Sequence, residues 1–146
     1  MSRTVFLSPR AFKEIKFCIA EAEDQYEVGG LLIGYKIGLD VIVIRTVKAD
    51  GCNSRFSVEI GGEKQSKCAR RIIESYWPLK PKLIGVWHYH IYNNRHFSKK
   101  DIESTKLVSK ILRGAVSILA TKDEKNRIVL SAMLCNEKGK VYGKTQ

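Results

Sequence analysis

Two histidines spaced i, i+2 and an aspartate shortly downstream are the residues of this 146-residue chain best suited to chemistry: His88, His90 and Asp101. Leu83 to His90 is a near-continuous apolar run, read as a strand lying centrally in a sheet. On a strand, side chains two apart share a face, roughly 6.5–7 Å from each other along it. Two imidazoles there can converge on one ion. Ten residues separate His90 from Asp101, enough for a loop that folds back. Asp101 falls in the first turn of a helix predicted from about Lys99 to Arg113, so its carboxylate can supply a third ligand. Two imidazoles and a carboxylate leave a fourth tetrahedral position for water, the pattern of a catalytic zinc site. A closed structural site uses four protein ligands, more often with Cys.

Zinc so held brings the pKa of bound water from ~15.7 towards about 7 and polarises a carbonyl oxygen. A general base must still take the water proton and pass it to the leaving amine. Glu27, just before Gly29-Gly30, is the candidate. Ser98 can donate a hydrogen bond to an oxyanion. Each residue also has a plainer reading. H-x-H on a strand is common on surfaces and in cores without metal. Ser98-Lys99-Lys100-Asp101 is a serviceable capping box, and a helix N-terminus accepts a carboxylate with or without a ligand role. Glu27 alone reads as a solvated acid at a strand entrance. His96 reads as surface or substrate-facing, with metal ligation as the alternative. Trp87 and Tyr89 read as packing residues, and Tyr92 as packing or recognition.

The elements that must position these residues follow from periodicity and punctuation. Ser8-Pro9 starts a helix that carries Phe12, Ile15, Cys18 and Ile19 on one stripe and runs to about Asp24. Gly29–Tyr35 is a strand with room for close backbone approach. It forms a hairpin with the β-branched run Val41–Val47. Asp50–Ser54 reads as a loop and Phe56–Ile60 as a short strand. A second helix spans about Glu63–Tyr76, with Cys68, Ile72, Ile73 and Tyr76 inward, and Pro78 and Pro81 close it. After the strand to His90 and a polar loop over Tyr92–Phe97, the third helix stops at Gly114. Val116–Thr121, Ile128–Asn136 and Lys140–Tyr142 complete the strands. The sum is one α/β domain over residues 1–146, a mixed or largely antiparallel sheet flanked by helices.

Composition bounds the function classes. Hydrophobic residues at 44% and charged residues at 28% exclude disorder and fibrous repeats. No apolar run approaches the ~20 residues of a membrane helix, and the N-terminus lacks a signal-peptide core. The expected location is the cytoplasm. Cys18, Cys52, Cys68 and Cys135 are scattered, with no C-x-x-C, and are expected to be small buried residues in a reducing compartment. Lys and Arg total 26 against 15 Asp and Glu, a net charge of +11. That excess suits nucleic acid, an acidic membrane surface, an acidic protein partner, or simply a solvated surface. The cations are spread along the chain, without an arginine-rich tail.

Glu27 before Gly29-Gly30, followed by H-x-H-x7-S-x2-D at the end of a later strand, resembles the JAB/MPN+ family of zinc isopeptidases, which carry the JAMM motif. Gly85-Val86-Trp87-His88-Tyr89-His90 is similar to the G-x-W-H-x-H stretch common in the prokaryotic branch. The resemblance implies that His88, His90 and Asp101 ligate Zn2+, that Glu27 holds and deprotonates the catalytic water, and that Ser98 steadies the tetrahedral intermediate. It implies a JAB/MPN-like fold, a curved, largely antiparallel sheet between helices. The bond cleaved would be the amide or isopeptide after the C-terminal glycine of a ubiquitin-like protein. E1- and E2-like enzymes of the same bacterial ubiquitin-like or anti-phage pathway would be further partners. Tyr89 stands where the family often has Ser or Thr, and Ile91 where it often has Pro. Neither is a ligand, so the departures bear on the substrate groove. The alternatives are a catalytically silent MPN-type scaffold and a nucleic-acid-associated JAB protein.

Overall fold

The computed structural model describes residues 4–25, 27–49, 62–91 and 96–145. The elements run β1 (Val5–Leu7), α1 (Pro9–Ala22), β2 (Gly29–Ile37), β3 (Asp40–Lys48), α2 (Glu63–Ser75), β4 (Lys82–Tyr89), α3 (Lys99–Leu112), β5 (Ala115–Lys122), β6 (Ile128–Cys135) and β7 (Val141–Thr145). The strands form one seven-stranded sheet in the order β1-β3-β2-β4-β5-β6-β7. The β1–β3 and β4–β5 pairs are parallel and the remaining pairs antiparallel. The α/β class, the β2–β3 hairpin and the mixed, largely antiparallel sheet therefore agree with the sequence reading. β4 occupies the middle of the order, as its continuous apolar run demands.

The sheet is curved. Thr4, Val5 and Leu7 at the β1 edge line one cavity of about 250 Å³ together with Leu130, Ser131 and Ala132 of β6, although four strands lie between them in sheet order. The main core fills the concave side: Ile15 and Ile19 of α1 meet Leu32, Val43, Ile84, Trp87, Tyr89 and Ile118. A smaller cluster on the other face packs Ala69, Ile72 and Ile73 of α2 against Leu31, Ile33, Val47 and Leu83.

Local chemistry explains the helix ends. Ser8 accepts a hydrogen bond from the Ala11 amide, Pro9 opens α1, and Glu23 closes it in the left-handed region at φ 49°. α3 begins with the predicted capping box, and its left-handed Arg113 passes the chain to Gly114 at φ 102°. Lys36 of β2 donates from Nζ to the carbonyls of Leu112, Arg113 and Gly114, meeting groups that the helix leaves without partners.

Some expectations are corrected. Cys68 is exposed rather than inward, because α2 turns Gln65 and Ala69 to the sheet. The Gln65 amide donates to the Val47 carbonyl at 3.1 Å, which is how a polar residue earns a buried place. Tyr76 is half-buried at the end of that helix. Cys18 and Cys135 are buried as expected. β1 was not foreseen. Cys52, the Asp50–Ser54 loop, the Phe56–Ile60 strand and Tyr92 lie outside the described residues.

Gly30 is required by a close approach. A Cβ there would fall 1.9 Å from the Val47 carbonyl oxygen and 3.0 Å from Trp87 Nε1. Gly30 pairs with Trp87, one residue before His88. Gly30→Ala is expected to lose roughly 1–3 kcal/mol or more of stability through this overpacking, read as a lower urea midpoint with an unchanged m value.

Candidate metal centre

β4 and α3 bring the three candidate ligands together. His88 lies on the last turn-out of β4, opposite Gly29 of β2. His90 follows the strand, but its amide still donates to the Ala120 carbonyl at 3.0 Å, so the ladder fixes it too. Both imidazoles therefore stand on the sheet face that α3 covers. On α3, Asp101, Thr105 and Ser109 recur at i, i+4 and i+8, a stripe of small polar residues, with Thr105 and Ser109 buried. Their hydroxyls bond back into the helix, Thr105 to the Asp101 carbonyl at 2.8 Å and Ser109 to the Lys106 carbonyl at 2.7 Å. A helix with that inward face can lie close to β4 and β5.

The resulting geometry is tight. His88 Nε2 and His90 Nε2 are 3.0 Å apart. Asp101 places Oδ1 3.2 Å from His88 Nε2 and Oδ2 3.3 Å from His90 Nε2. Ligand atoms at the corners of a tetrahedron with bonds of roughly 2.0–2.1 Å stand about 3.3 Å apart. With this spacing the three donors, two imidazoles and a carboxylate, could hold a metal ion. The side chains are 13%, 13% and 17% exposed, so the ligands are fixed by packing while solvent still reaches them.

Electrostatics agree. Burial raises the Asp101 carboxyl, but hydrogen bonds from His88 and His90 outweigh it, and with the Ser98 amide they hold the group well below the usual carboxylate range. Glu27 is half-buried at the entrance of β2, and two further steps of the β2–β4 register beyond Gly29–His88, the first marked by the Tyr89 amide on the Val28 carbonyl, set it opposite His90. Burial pushes its carboxyl upward; His90 and His88 pull it back, and Asp101 pushes it up again. Glu27 therefore senses all three candidate ligands. An acid of raised affinity for a proton, beside a candidate metal-ligand trio, is suited to proton transfer.

Ser98 has the capping role in full: its Oγ accepts from the Asp101 amide at 3.1 Å, and its own amide donates to Asp101 Oδ2 at 2.7 Å. The capping box thus also aims the Asp101 carboxylate. A serine hydroxyl that accepts a bond keeps a hydrogen to donate. Phe97 sets its ring edge-on to His88 at 6.4 Å between centroids. His96 is exposed and is not in the ligand group found among the described residues. Trp87 and Tyr89 are fully buried, in line with packing.

Sequence reasoning did not anticipate a second polar cluster behind the histidines. The Tyr89 hydroxyl donates to Asp24 Oδ1 at 2.5 Å, and Lys122 Nζ lies 3.1 Å from Asp24 Oδ2. Strand alternation was the available signal, since it turns Tyr89 away from His88 and His90. A cavity of about 380 Å³ lies elsewhere, between the β2–β3 turn and the end of α3.

No family model matches the chain, and no curated protein matches it. Among the described residues no helix is long and apolar enough to cross a membrane. The fold recurs among solved structures: a protein from Desulfitobacterium hafniense, determined in solution, superposes with a TM-score of 0.70 over 94% of this chain and 89% of its own, at 16% identity. The similarity at that identity is one of fold.

Proposed function

We propose that this chain is a zinc-dependent isopeptidase of the JAB/MPN+ kind, hydrolysing the amide bond after the C-terminal glycine of a ubiquitin-like modifier. The observation that carries the reading is the meeting of His88, His90 and Asp101 within 3.0–3.3 Å, with Glu27 coupled in charge to all three. His88, His90 and Asp101 would hold the zinc. When bound, it would lower the pKa of a water molecule and polarise the scissile carbonyl.

The chain's own residues do the rest. Glu27 accepts the proton of the attacking water and delivers it to the leaving amine. Its raised proton affinity suits both halves of that transfer. The Ser98 hydroxyl donates to the oxygen that gains negative charge as the carbonyl carbon becomes tetrahedral. Phe97 and the β4 backbone hold the His88 ring in register. The net charge of +11 favours an acidic modifier or conjugate.

The deciding experiment is incubation of the zinc-loaded protein with modifiers fused through their terminal glycine to a reporter peptide. Cleavage at the glycine junction is expected, abolished by chelator and restored by added zinc. Cleavage that continues in the metal-stripped protein would overturn the reading. The intact donor set speaks against a silent scaffold. The nucleic-acid reading has only the charge behind it.

A further inference from the structure

Tyr89 ties down both ends of the connection that carries Glu27. Its amide donates to the Val28 carbonyl at 2.8 Å, and its hydroxyl donates to Asp24 Oδ1 at 2.5 Å. Glu27 lies between these anchors. The ring is fully buried, and burial together with Asp24 raises the phenol's proton affinity, so the hydroxyl remains a donor. Lys122 of β5 completes the clamp, with Nζ 3.1 Å and 3.4 Å from the two Asp24 oxygens and 6.0 Å from the Tyr89 ring centroid. The backbone at the turn needs such a hold. Glu23 and Asp24 are consecutive non-glycine residues in the left-handed region, at φ 49° and 58°.

The placement is specific to the site. Tyr89 sits between His88 and His90 in sequence, yet strand alternation turns it to the opposite face, into the core. The residue that spaces the two imidazoles is therefore the residue that holds the α1–β2 connection. We propose that Tyr89 and Asp24 are positioning residues for the Glu27 carboxylate, setting it against the metal centre built from the same strand. The inference rests on the reading of Glu27 as the general base. It assigns a role to the tyrosine between the histidines that packing alone does not.

Tyr89→Phe removes the hydroxyl and keeps the ring; Asp24→Asn alters the exposed partner and provides a second variant should the first fold poorly. Both are compared with Glu27→Gln, singly and combined with it, on the zinc protein with a glycine-linked modifier fusion, and by visible absorption with cobalt in place of zinc. Each positioning variant is expected to bind one metal per chain and to lose about 10-fold in kcat with KM unchanged, as a slight misplacement of a catalytic group does. No further loss is expected in the Glu27→Gln background. The cobalt spectrum is expected to move in the direction that Glu27→Gln moves it. A loss of equal size in the Glu27→Gln background, or a wild-type cobalt spectrum in both positioning variants, would overturn the proposal while leaving Glu27's role intact. A Glu27→Gln protein with wild-type kcat and spectrum would instead remove the reading of Glu27, and this proposal with it.

Discussion

Glu27→Gln is expected to lower kcat by about 10²–10⁴-fold, the usual loss when a positioned general base is removed, while zinc stays at one per chain. Gln keeps the shape and hydrogen-bonding reach of the side chain but cannot take a proton. The proposed ligand trio does not include Glu27, so metal content measured by elemental analysis should be unchanged. Stability gives a second readout with a defined sign. Burial raises the Glu27 carboxyl above its unfolded value, so the folded state holds this proton more tightly. A group of that kind is a stability cost that appears as pH rises through the folded pKa and is absent below the unfolded one, near 4.5. Metal-free Glu27→Gln should therefore be at least as stable as the parent at pH 7, with the difference gone below about pH 4. A large loss of stability at neutral pH would mean that Glu27 is structural.

Asp101→Ala is expected to remove metal binding and activity together. It deletes a proposed ligand, the acceptor for both histidines and one half of the α3 capping box. Loss of a supporting residue around a metal typically costs 10–100-fold in affinity; loss of a ligand should exceed about 100-fold, read by competition with a chromogenic chelator. The lost cap adds about 1 kcal/mol of destabilisation. The pH dependence again has a defined sign. The Asp101 carboxyl is held below its unfolded value, so its stabilisation is present above that value and is lost as pH falls towards the folded one. The metal-free parent should lose this contribution below about pH 4, and the variant should lack it throughout. An alanine variant that kept zinc and activity would place the metal elsewhere.

Much of the scaffold was legible because its causes are local. Ser8 and Pro9 announce α1, and the box Ser98–Asp101 announces α3. The β-branched run Val41–Val47 announces β3, and the apolar run through Trp87 announces a central strand. β1 was not legible. Its three residues pair in parallel with β3, Val5 to Val41 and Leu7 to Val43, and nothing in so short a segment predicts a partner that distant. The orientation of α2 was misread at Cys68 for a related reason. An apolar side chain gains by burial, but the face is chosen by the whole helix, and here Gln65 goes inward because Val47 offers it an acceptor.

The candidate site divides the same way. The residue types and spacings by themselves determined that two imidazoles share a strand face, that a capped helix start carries a carboxylate, and that an acid precedes a glycine-rich strand. These follow from backbone periodicity and capping, which act over a few residues. Only the tertiary structure decided that β4, α3 and the start of β2 meet at one point, and that Tyr89 holds Asp24 behind them. Tyr89 and Asp24 alone are 65 positions apart. They depend on how a curved sheet packs against three helices, which is settled by the summed burial of the whole chain and by no segment of it.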